Sequence, residues 1–113
     1  MSARNPLLEA PPFAVEDALS KLGRRLRTAR LRRNLRVADV GNKIGAGSRA
    51  VADAEKGKPS TGIAIYLALL WAFDMLGDLD AVANPNCDTE GLRLASRRER
   101  ERARQPRGLD NEF

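Results

Sequence analysis

The segment VADVGNKIGAGSRAVADAEKGK, Val37 to Lys58, constrains the fold more than any other part of the chain. Val37, Val40 and Ile44 recur at spacings of three and four, which gives one apolar face to a short helix from about Arg36 to Ile44. Gly45 breaks it, because glycine accepts the positive φ that a side chain resists. After Gly45, Ala46 and Gly47, the alanine-rich stretch Ser48 to Lys56 favours another short helix with Val51 and Ala54 inward. Gly57 stops this second helix and Pro59 cannot continue it. Gly41 has no side chain to hold the pair apart. Two short helices joined by so tight a turn can bury their apolar faces only against other helices, so an all-α domain is predicted.

The flanking sequence supplies those helices. From about Glu16 to Arg33, Leu19, Leu22, Leu26 and Ala29 form one inward stripe, with Arg24, Arg25, Arg27 and Arg32 mostly off it. Asn34 tolerates the left-handed conformation and suits the end of that helix. Ahead of it, Pro6, Pro11 and Pro12 favour an extended arm over residues 1–14. Ser60 or Thr61 is placed to cap a fourth helix that runs through the apolar block Ile63 to Phe73 toward Leu76, with Gly77 ending it. Asp78 to Ala83 reads as a short fifth helix closed by Asn84 and Pro85, and Asp88 is positioned to cap a sixth segment from Thr89. The predicted organisation is an arm over 1–14, a folded domain over 15–83 and a basic extension over 84–113.

Composition narrows the chemistry. With one cysteine, Cys87, and no histidine, neither an internal disulfide nor a zinc site of cysteine and histidine ligands is expected, and the usual proton shuttle is missing. No serine has an evident base partner, so no enzyme, metal or cofactor is expected. The apolar run is shorter than the roughly 20 residues a membrane helix needs. The first residues, MSARNPLLEAPPF, carry no secretion pattern, and a cytoplasmic protein is expected. The net charge of +5 favours an anionic partner, and its distribution says more. Lys21 to Lys58 holds twelve basic and three acidic residues, Ser60 to Leu92 holds five acids and no base, and Arg93 to Arg107 adds seven arginines against two acids. The amino-terminal third therefore carries the electrostatic footprint for a polyanion.

The stretch LGRRLRTARLRRNLRVADVGNKIGAGSRAVADAEKGKPST, Leu22 to Thr61, resembles the Xre family of phage-repressor-like regulators. The resemblance implies a five-helix helix-turn-helix domain, here with a carboxyl-terminal helical extension, that binds double-stranded DNA. It implies a structural ion pair between Arg30 and Glu55, and it sets Ser48 and Arg49 against base edges with Asp53 one turn on. Arg49 is the strongest candidate, because bidentate bonding to guanine is the commonest specific contact. Asp53 either accepts from cytosine or holds the Arg49 guanidinium. Arg36, Lys43, Lys56 and Lys58 flank the reading helix as phosphate contacts. The chain departs from the family at Val37, where a glutamine often contacts phosphate, and at Arg36 and Gly47, where capping residues are usual.

The fourth helix is apolar on more than one face. Ile63, Leu67 and Leu70 are assigned to the core, which leaves Ile65, Leu69, Trp71 and Phe73, together with Leu76 in the segment Met75 to Val82, as a homodimer interface. A cover by the chain's own carboxyl segment is the alternative. The carboxyl half, from IYLALLWAFDMLGDLDAVANP through DTEGLRLASRRERERAR, resembles a subset of small Xre regulators, some of which accompany HipA-like kinase toxins, so an antitoxin with a toxin protein partner is the second functional expectation. A third is an RNA-binding or interaction module that uses the arginine-rich end.

Overall fold

A computed structural model describes residues 5–104, and every element among them is helical. In order these are α1 (Pro6–Glu9), α2 (Phe13–Arg32), α3 (Val37–Ile44), α4 (Ser48–Glu55), α5 (Ile63–Ala72), a 3-10 helix (Leu76–Ala81) and α6 (Thr89–Arg104). None of these helices is long and apolar enough to cross a membrane. The first four residues of the expected arm and residues 105–113 of the expected basic extension, Arg107 included, lie outside the described residues.

The chain divides into two compact units, one ending at Gly77 and the other beginning at Asp78. The expected fifth helix is a 3-10 segment, Leu76–Ala81, with no buried residue. The arm also differs from expectation. Pro6 occupies a first helical position, where its missing N–H is no loss, and the Asn5 side chain accepts the Leu7 N–H at 3.0 Å, so one turn of helix forms. In the second unit, Asp88 caps α6 by accepting the Gly91 N–H at 2.9 Å.

In the first unit, Leu26, Ala29, Val40, Val51, Ala54, Tyr66, Leu69 and Phe73 form one core. There α4 packs on α2, α3 and α5, and α3 also packs on α5. The orientation of α5 corrects the expected dimer interface. Leu69 and Phe73 are 1% and 2% exposed and belong to the core, Ile65 packs against it, and Ile63, assigned to the core, is 70% exposed. Tyr66 takes the inward place. An apolar residue at almost every position of IAIYLALLWA leaves periodicity with no direction to report, so packing partners alone decide which face turns in. Trp71 and Leu76 do remain exposed.

The ends of α2 and α5 close on a left-handed residue other than glycine. Asn34 has φ 55°, and the Leu35 N–H reaches back to the Arg30 carbonyl at 3.2 Å. Asp74 has φ 61°, with the Met75 N–H on the Leu70 carbonyl at 2.7 Å, so α5 stops before Gly77 is reached. Capping of α5 by Ser60 or Thr61 is not seen; Gly62 in extended conformation begins the helix without a side-chain cap.

What fixes α4 against α2 is a close approach and an ion pair. A methyl at Gly23 would lie 2.6 Å from the carbonyl oxygens of both Ala54 and Glu55, so only glycine lets the end of α4 seat there. One helix face along, Arg30 Nε donates to Glu55 Oε2 at 2.6 Å and Nη2 to Oε1 at 3.0 Å, while Nη1 donates to the Leu35 carbonyl at 2.9 Å. The hydrogen bonds it donates to Glu55 hold the Arg30 guanidinium above its ordinary range, so the cation is fixed in place. Both side chains are over nine-tenths buried. Glu55→Ala should therefore destabilise the protein by about 3 kcal/mol or more, because it strands a desolvated guanidinium. Urea unfolding checks this, and a loss below about 0.5 kcal/mol, the scale of an exposed pair, would contradict it.

Candidate nucleic-acid interface

The amino end of α3 is built by an acid that lies one turn inside it. Arg36 precedes the helix, and its backbone N–H donates to Asp39 Oδ2 at 2.9 Å. The carboxylate also takes the Arg36 guanidinium, with Nη2 to Oδ1 at 3.2 Å, and these bonds hold Asp39 below the usual carboxylate range. Arg36 is nonetheless open to solvent. Asp39 thus replaces the cap that Arg36 cannot provide, and its signal in the sequence is an acid at the third helical position.

Gly45 ends α3 at φ 76°, and the Ala46 N–H bonds the Gly41 carbonyl at 2.9 Å. A methyl on Gly41 would stand 2.7 Å from the Ala46 carbonyl oxygen, so the turn folds directly over that residue. Gly47 then enters α4 with extended backbone and no side-chain cap. The helix is exposed at its start and buried at its middle and end: Ser48 and Arg49 face solvent, whereas Val51 and Ala54 are wholly buried. Among the described residues, the Arg49 guanidinium has no hydrogen-bond or ion-pair partner.

The other expected site residues divide. Lys58 Nζ lies 3.2 Å from Asp53 Oδ1, so the structure gives Asp53 to Lys58 and not to Arg49. Lys56, beside it, is exposed. Lys43 is turned elsewhere: its ammonium donates to the Ala72 carbonyl at 3.4 Å and stands 5.8 Å from the centre of the Trp71 ring. A cation at the carboxyl end of α5 meets an unpaired carbonyl and the negative end of the helix dipole, which sequence spacing does not reveal. Arg36, Ser48, Arg49, Lys56 and Lys58 therefore stand at or beside the ends of α3 and α4, whereas Lys43, in the last turn of α3, reaches to the end of α5.

Behind this surface, the Tyr66 hydroxyl donates to the Lys58 carbonyl at 3.4 Å and so ties the segment after α4 to α5. Neither a family model, nor a curated protein, nor a solved structure matches the chain.

Burial pushes the Tyr66 phenol above its ordinary 10.0, because the phenolate would lose its water. The neutral form is favoured in the folded protein, so this contribution to stability is fully present below the unfolded value and is lost as pH rises through the folded one. As the only tyrosine of the chain, Tyr66 can be titrated directly by the ultraviolet absorbance of phenolate. The midpoint should lie above that of the urea-unfolded chain, and equal midpoints would show the ring to be solvated.

Proposed function

We propose that this chain is a sequence-specific double-stranded DNA-binding regulator of the helix-turn-helix, Xre-like kind, a dimeric repressor that acts by binding and not by catalysis. The observation that carries the reading is the divided exposure of α4, whose end is clamped to α2 while Ser48 and the unpartnered Arg49 stand at its free start. A short helix held rigidly from behind, with an arginine on its first turn, suits insertion into a major groove and bidentate bonding to guanine. Arg36 before α3 and Lys56 and Lys58 after α4 supply phosphate contacts on either side. In this reading Asp53 orients Lys58, and Lys43 stays with α5.

The reading helix offers little else, since Ala50 and Ala52 present only methyl groups. Two half-sites are therefore needed, and the outward face of α5 supports pairing of two copies. It carries Ile63 and Trp71, 70% and 55% exposed, with Leu67 between them. An isologous contact there gives the twofold symmetry that a palindromic operator matches.

A second reading has one observation in its favour: Arg93, Arg97, Arg100 and Arg104 share a face of α6, spaced for contact with any nucleic-acid backbone. Binding-site selection from random duplexes separates the two. A palindromic site is expected. Arg49→Ala should cost about 1–3 kcal/mol at one position of each half-site, and Lys56→Ala should weaken all sequences alike while lowering the salt slope by about 1. Equal affinity for unrelated duplexes and single strands, unchanged by Arg49→Ala, would overturn the proposal in favour of the α6 reading.

A further inference from the structure

A second concentration of positive charge lies on the side of α2 turned away from α4. Gly23 and Arg30 mark the side that meets α4. At about 3.6 residues per turn, Lys21, Arg25 and Arg32 come round to the opposite flank and follow one another along roughly 16 Å of helix. With Arg24, Arg33, Phe73 and Met75 they line an open groove of about 910 Å³, which also has Asp74 at its edge.

The cations of this groove are unequally satisfied. Lys21 pairs with Asp17 at 2.8 Å, and Arg33 donates to the carbonyls of Ala29 and Phe73 at 2.9 and 3.0 Å. Arg24, Arg25 and Arg32 have no ion-pair or hydrogen-bonded side-chain partner among the described residues. Like charges stacked along one helix flank repel, and an anionic occupant would relieve that. Met75 adds an apolar contact at the surface, whereas the Phe73 ring is 2% exposed and covered by the Arg33 guanidinium 5.3 Å from its centre, so the occupant that fits best carries acids and an aliphatic side chain together; a phosphate backbone would meet only the charge.

The chain itself contains such a segment. Leu76–Ala81 reads LGDLDA, exposes Leu76, Asp78 and Asp80, and sits within the long stretch that holds no basic residue. We infer that the groove on α2 receives the Leu76–Ala81 segment of a second copy of this chain, and that the exchange is reciprocal. The inference rests on the dimer proposed above for its symmetry, but not on DNA binding. It adds an electrostatic lock to an apolar contact, with the groove of each copy filled by the acids of the other.

A charge-exchange experiment on the full chain, read by sedimentation without DNA, tests it. R25E/R32E and D78K/D80K should each weaken self-association by at least about tenfold, and raising the salt should weaken the wild type in the same direction. Mixing the two variants in equal amounts should restore the dimer, because each reversed groove then meets a reversed segment. Circular dichroism checks that each variant folds; R25Q/R32Q and D78N/D80N carry the same test with smaller losses if a reversal does not. A monomeric wild type, reversed variants that associate as the wild type does, or losses that mixing fails to restore would each overturn the inference. The last outcome would assign the groove to the segment of the same chain or to a different acidic partner. Failure of duplex binding with the exchange intact would instead count against the DNA reading alone.

Discussion

A guanidinium and a carboxylate taken out of water are tolerated only where the hydrogen bonds they lose are replaced, and the Arg30–Glu55 pair meets that condition. Arg30 donates twice to Glu55 and once to the Leu35 carbonyl, so one side chain joins α2, the turn after it and the last turn of α4. Such a pair adds little net stability over a well-packed apolar substitute, since desolvation offsets most of the attraction. What it adds is direction. The aliphatic contacts among Leu26, Val40, Val51 and Ala54 hold at many relative angles, whereas the planar fork of the guanidinium accepts one. With Gly23 letting the α4 carbonyls approach to within contact of α2, the end of α4 is fixed, and its start becomes the part left to project.

That anchoring explains which features were legible in the sequence. The bounds of α3 and α4 could be read closely, because Gly45 and Gly57 interrupt apolar spacing that is otherwise regular. Asn34 at the end of α2 was readable for a similar reason: asparagine is a recognised occupant of the left-handed region. Asp74 performs the same task at the end of α5, and the weaker signal of an aspartate was masked by Gly77, the residue that propensity favours, which comes too late to be used. Gly23 carries a signal of another kind. A glycine inside a helix costs about 1 kcal/mol against alanine, so its presence in the middle of α2 marks a place where something must come close.

The face of α5 was not legible, and the cause is physical. A helix apolar all round is stable against any partner, so its rotation is chosen by the cavity that α2, α3 and α4 leave, not by its own pattern. Tyr66 fits that cavity because its ring fills the core while its hydroxyl reaches the Lys58 carbonyl. Once Tyr66, Leu69 and Phe73 turn inward, Ile63 and Trp71 must turn outward. Lys43 was obscure for a related reason: its partners, the Ala72 carbonyl and the Trp71 ring, exist only after α5 has taken that rotation. The candidate surface around Ser48 and Arg49 depends mainly on local order and so was easier to foresee than the packing behind it.

In the proposed reading, the exposed faces of the first unit are not independent. A single bidentate contact supplies about 1–3 kcal/mol of discrimination, while specific recognition of DNA usually needs about 4–10 kcal/mol over random sequence. Arg49 alone falls short, and the alanines beside it contribute no directional bond. Discrimination therefore has to come from two copies acting at once, which transfers part of the burden from the reading helix to whatever holds the copies together. An apolar contact through Trp71 is indifferent to small rotations, as the aliphatic core is. A reciprocal set of charge pairs at the α2 groove would restrict them, setting the distance between two Arg49 side chains in the way that Arg30 and Glu55 set the angle of α4 within each copy. Specificity for a spaced, palindromic site then follows from two directional ionic contacts laid over two apolar ones, one inside the protomer and one between protomers.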